Sequence, residues 1–362
     1  MVLAAILSQS AALCSWDAAL PFNVNAASTI RRFSRWLHNH KIDTVRIYDS
    51  IIRNALRTWG GDRIILALDT TMLRDNICAV RISMIYLGRA IPVAWCVLEH
   101  RSSSVKFASY KEVLKQARSR LPEGLKVIFL ADRGFVSKKL MRQLNGWNWI
   151  WRIRIKNNQV LYCRDKRMTP KVLMLQKGNA MLFSGNIRFE QTLAGLSLSA
   201  GWSRSAGEPW YILSNDEAGV ENFMEYGMRF DIEEEFKDEK SGGFSLEKSR
   251  VEGPEALERL ILVIAVATII TLNEGLVVVA EGNRKKVDSH WQRGLSYLQT
   301  GRRWILKQLC RPAIALRCSL ELRAMNDPLP VAPTRKESAL RRKRKNPKWH
   351  FKSIIPCHDL FI

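Results

Sequence analysis

The sequence is poor in soft metal ligands and comparatively poor in acid. Its cysteines (Cys14, Cys78, Cys96, Cys163, Cys310, Cys318 and Cys357) are odd in number and never spaced C-x-x-C. That excludes a zinc ribbon and argues against a disulfide framework. The six histidines never recur at H-x-x-x-H spacing, which excludes a helical histidine zinc site. Acidic residues number 34 against 57 lysines and arginines, a formal charge of +23. So basic a chain points to a polyanionic partner, nucleic acid before an anionic membrane surface. No apolar run reaches the about 20 residues of a bilayer span. The most apolar stretch, "LILVIAVATIITL" at 260–272, is bracketed by Glu258, Arg259, Asn273 and Glu274 and reads as a buried helix. The opening "MVLAAILSQSAALCSWDAAL" has neither a basic leader segment nor a small-x-small cleavage site, so no secretory leader is expected. The expected compartment is the cytoplasm, with no membrane partner.

With 47% hydrophobic residues, the chain can build a sizeable core. Residues 1–60 read as a basic helical unit, a candidate for DNA contact, with apolar positions three and four apart in "STIRRFSRWLHNHKIDTVRIYDSIIRNAL". From Arg63 the pattern turns to short apolar runs. "RIILALDTT", "ICAVRISMIYLG" and "AIPVAWCVLE" predict three strands in a meander. The amphipathic helix "SYKEVLKQARSRL" follows, then the strand "LKVIFLAD", a short helix from Ser137, and the strand "WNWIWRIRIK". Residues 157–217 lack helical periodicity and read as a β-rich insertion. Helices return in "GVENFMEYGMRFDIEEEFKDEK" and again after Gly253-Pro254, where proline suits a first turn. The expected fold class is α/β: a mixed sheet with helices over 61–156 and 218–282, interrupted by the insertion. A basic region with a charge-dense tail occupies 283–362.

The segment "YGMRFDIEEEFKDEK" sets six acids into this basic chain. On one continuous helix at ~100° per residue, Tyr226, Arg229, Glu233, Lys237 and Lys240 share an arc of about 80°. That face carries one carboxylate between a phenol and three cations, which suits a phosphate backbone crossing the helix while the carboxylate reaches a metal. The alternative is a solvated helix with i,i+4 pairs such as Glu233–Lys237. Asp69 and Asp132 each end an apolar strand, "IILALD" and "VIFLAD", where an unpaired charge is costly. Such aspartates also start turns. Brought together with Glu233 they form an oxygen cage, and oxygen ligands select Mg²⁺, with Mn²⁺ able to substitute.

"LALDTT", "LADRGF" and the spacing Y-x2-R-x3-E-x6-K over Tyr226, Arg229, Glu233 and Lys240 resemble the signatures of DDE transposases of insertion-sequence family four. "PWYILSN" at 209–215 and "RGLSYLQTGRRWI" at 293–305 are similar to further segments of that family, so the resemblance spans 63–305. It implies a ribonuclease-H-like core with a β-rich insertion before the last catalytic helix, in a bacterial, nucleoid-associated enzyme. It implies metal binding and catalysis by Asp69, Asp132 and Glu233. Phosphate contacts would come from Tyr226, Arg229 and Lys240, with Lys237 assisting and Arg133 as a further candidate. Trp210 would stack on a flipped base, its alternative being a buried strand tryptophan. The implied partners are double-stranded transposon ends and target DNA, gripped by a dimer. Two other readings stay open: a ribonuclease-H-class nuclease without strand transfer, and an inactive DNA-binding descendant of a transposase.

Overall fold

Among the described residues, four helices precede the first strand in the computed structural model: α1 (Val2–Ser8), α2 (Leu13–Ala18), α3 (Ala26–Leu37) and α4 (Thr44–Leu56). The structure describes residues 1–20, 24–190, 192–237, 244, 246–289, 295–310, 319–324 and 351–356. Asn25 and Asp43 cap α3 and α4 by accepting from the amides of Ala27 and Arg46. Inward-facing arginines fasten this helical region to the rest. Arg259 donates to the carbonyls of Leu37 and Ile42. Arg120 donates to Val45 and Val93, and Arg302 to Ile6 and Leu7. Part of the chain's positive charge therefore satisfies buried carbonyls and is not presented to a partner.

Next come β1 (Arg63–Arg74), β2 (Ile77–Tyr86), β3 (Arg89–Glu99), α5 (Phe107–Arg120), β4 (Lys126–Ala131), α6 (Lys138–Asn145) and β5 (Ile150–Arg154). β1, β2 and β3 form an antiparallel meander. β4 and β5 then add in parallel beside β1, each reached through a helix, as a parallel crossover requires. The order β3-β2-β1-β4-β5 is the ribonuclease-H-like arrangement. The 157–217 stretch contributes β6 (Leu161–Cys163), β7 (Lys166–Met168), β8 (Asn179–Phe189), β9 (Leu193–Gly201) and β10 (Trp210–Ser214). β10 pairs antiparallel with β5, so these strands extend the core sheet in the order β10-β9-β8-β6-β7.

After the sheet come α7 (Val220–Gly227), α8 (Phe230–Lys237), α9 (Pro254–Ala280), α10 (Tyr297–Leu309) and a last strand, β11 (Ser353–Pro356), parallel to β8. As far as Lys237, the acid-rich segment thus falls on two helices, not the single helix expected. Glycine at 227 weakens helix propagation. Tight i→i−3 bonds from Met228, Arg229 and Asp231 carry the chain through the break. α9 is also longer than its thirteen-residue apolar run suggests: at 27 residues it is long and apolar enough to cross a membrane, but 89% of its most apolar window is buried inside the protein. It packs against β3, α1 and α10. Gly275 and Gly301 let α9 and α10 touch backbone to backbone. A Cβ on either would collide with a carbonyl oxygen of the other helix, Tyr297 for Gly275 and Thr271 for Gly301.

Candidate active site

Asp69 does not end β1 as expected. The strand runs five residues further to Arg74, paired with β2. What ends near Asp69 is the parallel ladder to β4, whose last pair is Leu68 with Ala131. Beyond it Asp69 and Asp132 emerge side by side from adjacent strands. β4 stops at Ala131 because a 3-10 turn, Arg133–Phe135, follows Asp132. Glu233 comes from α8, which packs over β1, β2 and β3 through the buried Ile232.

Arg229 joins these elements. It sits in the break before α8, 5% exposed. One guanidinium nitrogen, Nη1, lies 2.8 Å from Asp69 Oδ2, and Nη2 lies 2.7 Å from Glu233 Oε1. The other Asp69 oxygen, Oδ1, accepts from the Thr70 amide at 2.8 Å. Tyr226, fully buried on α7, donates its hydroxyl to Asp132 Oδ1 at 3.1 Å. The carboxylates are gathered around a guanidinium and a phenol. Among the described residues, no three acidic, histidine or cysteine side chains close on one point tightly enough to hold an ion as they stand.

The electrostatics follow from burial. Desolvation raises the Asp69 carboxyl above its ordinary value. Arg229 and the Thr70 amide pull the other way, while Glu233 and Asp132 add to the rise. Burial pulls the Arg229 guanidinium down, but Tyr226, Asp69, Asp132 and Glu233 together push it above its usual value, so it stays charged. Desolvation also raises the Tyr226 phenol, which remains a neutral donor to Asp132. Glu233, 39% exposed, forms the open side of the cluster.

Tyr226 and Arg229, for which phosphate contacts are implied, each meet carboxylates within the protein. Both are buried, Tyr226 fully and Arg229 at 5% exposure. Arg133 is exposed beside Asp132. Lys237 closes α8 with its side chain outside the described residues, as is the whole of Lys240. Trp210 is half-buried at the start of β10. Its ring centroid lies 5.1 Å from Tyr226 and 5.7 Å from Phe230, with the Arg154 guanidinium 5.4 Å away over its face. Sequence reasoning missed Phe230, 38% exposed and next to Arg229, and Arg154, which also pairs with Glu208. It also missed Arg81, fully buried and directly opposite Asp69 in the β1–β2 register, hence on the same face of the sheet. A lone arginine inside the apolar run "ICAVRISMIY" was the available signal.

Residues 74–270, just over half of the chain, match the family model described as Transposase DDE domain. The matched range includes Asp132 and Glu233 and begins after Asp69. No curated protein matches the sequence. Among solved structures, the chain is similar to one titled as the piggyBac transposase synaptic complex with hairpin DNA, at 16% identity and a TM-score of 0.43. The similarity covers 79% of this chain and 62% of that one.

Proposed function

Because the chain belongs to the transposase DDE-domain family, we propose that it is the transposase of a bacterial insertion sequence, of family four by its Tyr226, Arg229, Glu233 and Lys240 spacing. In this reading it binds transposon ends, cuts them and joins them to target DNA. The supporting observation is the gathering of Asp69, Glu233 and Asp132 around Arg229 and Tyr226. Asp69, Asp132 and Glu233 would hold Mg²⁺, with Mn²⁺ able to substitute. An all-oxygen donor set fits such hard ions, and the desolvation Asp69 bears is a cost that a bound cation offsets. Bound there, divalent ions would polarise the attacking and leaving oxygens of a phosphoryl transfer.

The chain's own residues position the rest. Tyr226 fixes the Asp132 carboxylate through its hydroxyl. Arg133, Lys237 and Lys240 are assigned to phosphates, and Arg229 joins them once it leaves the carboxylates. Trp210, with Phe230 beside it, offers an aromatic face to an unstacked base, a contact worth ~1–3 kcal/mol per base. Cleavage takes place in the cytoplasm, in a dimer bridging two ends. The test is a strand-transfer assay with duplexes carrying the terminal repeats of the element that encodes the chain. Expected are cation-dependent nicks, end-to-target joined products, and DNA binding that weakens steeply as salt rises. Nicks without joined products would favour a nuclease; binding without nicks would favour an inactive descendant.

A further inference from the structure

Resting on the metal-centre reading above, we infer that Arg229 is an internal placeholder cation. It holds the Asp69 and Glu233 carboxylates together until a divalent ion takes their oxygens, and it is then free to meet DNA phosphate. Asp69 and Glu233 lie 164 positions apart, on β1 and α8. A guanidinium presents a planar fork of donors and can serve two carboxylates at once, which a lysine ammonium does less well. Arg229 uses that fork across the two, with one nitrogen at 2.8 Å from Asp69 and the other at 2.7 Å from Glu233. Its guanidinium carbon lies 5.1 Å from the Phe230 ring centroid and 5.7 Å from that of Tyr226, so aromatic rings border it.

Competition follows from the oxygen count. Both Asp69 oxygens are engaged, Oδ1 by the Thr70 amide and Oδ2 by Arg229. One Glu233 oxygen is engaged by Arg229 as well. An ion ligated by both residues meets a fixed positive charge already seated on the oxygens it needs. The same displacement explains how an arginine only 5% exposed could reach a phosphate. Ion loading and DNA contact would then share one side chain, and neither would be complete while Arg229 stays inside.

The test is a Mn²⁺ titration without DNA, following the loss of the free-ion electron paramagnetic resonance signal. Wild type, Arg229→Gln, Arg229→Lys and Asp69→Asn are compared. Arg229→Gln should bind Mn²⁺ roughly tenfold or more tightly than wild type, because a positive charge at contact distance from the ligands is gone. Arg229→Lys should fall between the two. Without ion, Arg229→Gln should melt below wild type, and Mn²⁺ should raise its melting temperature by more than it raises that of wild type. Should Arg229→Gln fail to fold without ion, the Lys variant carries the comparison: tighter binding than wild type supports the placeholder, equal or weaker binding overturns it. A folded Arg229→Gln that binds Mn²⁺ no more tightly than wild type also overturns it. If wild type binds Mn²⁺ through Asp69 and only the arginine effect is missing, the metal-centre reading stands and this inference falls. If Asp69→Asn leaves wild-type Mn²⁺ binding unchanged, both fall.

Discussion

Asp69→Asn is expected to lower cation-dependent strand cleavage by roughly 10³-fold or more, the equivalent of several kcal/mol of transition-state charge stabilisation. The substitution keeps the shape of the side chain and its contact with the Thr70 amide. It removes the negative charge that Arg229 now satisfies and that an ion would require. DNA affinity should change little, because the net charge of +23 is spread over the chain and Asp69 carries none of its positive part. Nicking of a labelled end duplex and a mobility-shift titration, run on the same preparation, separate the two effects. Wild-type nicking by the asparagine variant would remove Asp69 from the chemistry. A parallel loss of nicking and binding would make it a structural residue.

Gly301→Ala should destabilise the fold by about 3 kcal/mol, against the usual direction of glycine replacement in a helix. Alanine is the better helix former by roughly 1 kcal/mol, and on an exposed helix that term would dominate. Here it is outweighed. The added Cβ would lie far inside contact distance of the Thr271 carbonyl oxygen and 2.6 Å from the Gly275 nitrogen, so α9 and α10 must separate. Backbone cannot move aside as a side-chain tip can, and the separation would open the packing around the buried Leu272, Leu298 and Ile305. Chemical denaturation should show a lower midpoint with an unchanged slope. A midpoint equal to or above wild type would mean that the two helices are not in backbone contact.

The strands over 61–156 were legible because each is a short apolar run bounded by turn residues, and the local pattern gave their succession along the chain, with helices between the later ones. Their order across the sheet comes from non-local pairing. "VIFLAD" predicts both β4 and the exit of Asp132 from it, and β4 does stop at Ala131. "IILALD" suggests the same for Asp69, yet β1 continues, since the residues after Asp69 find partners on β2 that no local pattern encodes. The two-helix geometry at Met228–Arg229 was partly visible in Gly227. Its consequence was not. Helical periodicity places Arg229 on one face with Glu233, and the pairing found, at 2.7 Å, honours that i,i+4 relation. The contact that turns Arg229 inward is the one to Asp69, a residue far away in sequence and brought near only by the sheet. Trp210 shows the same limit: a strand tryptophan is one reading of the sequence, but the packing of its ring against Tyr226 and Phe230 joins β10 to later helices, and no local pattern encodes that contact. The start of α9 was legible in Gly253-Pro254, since proline suits a first helical turn, and the helix does begin at Pro254. The apolar run inside it is bracketed by Glu258, Arg259, Asn273 and Glu274. All four lie within the helix. Glu258 accepts from the Val97 amide, and Arg259 donates to the carbonyls of Leu37 and Ile42.

The chemistry proposed for the chain depends on Asp69, Asp132 and Glu233 forming one metal centre. Anomalous diffraction from crystals of the chain with end duplex and Mn²⁺ tests it most directly. A manganese peak is expected in contact with an oxygen from each of the three carboxylates, with Arg229 turned away from Asp69. Peaks lying elsewhere, or a fully loaded site in which Glu233 takes no part, would contradict it.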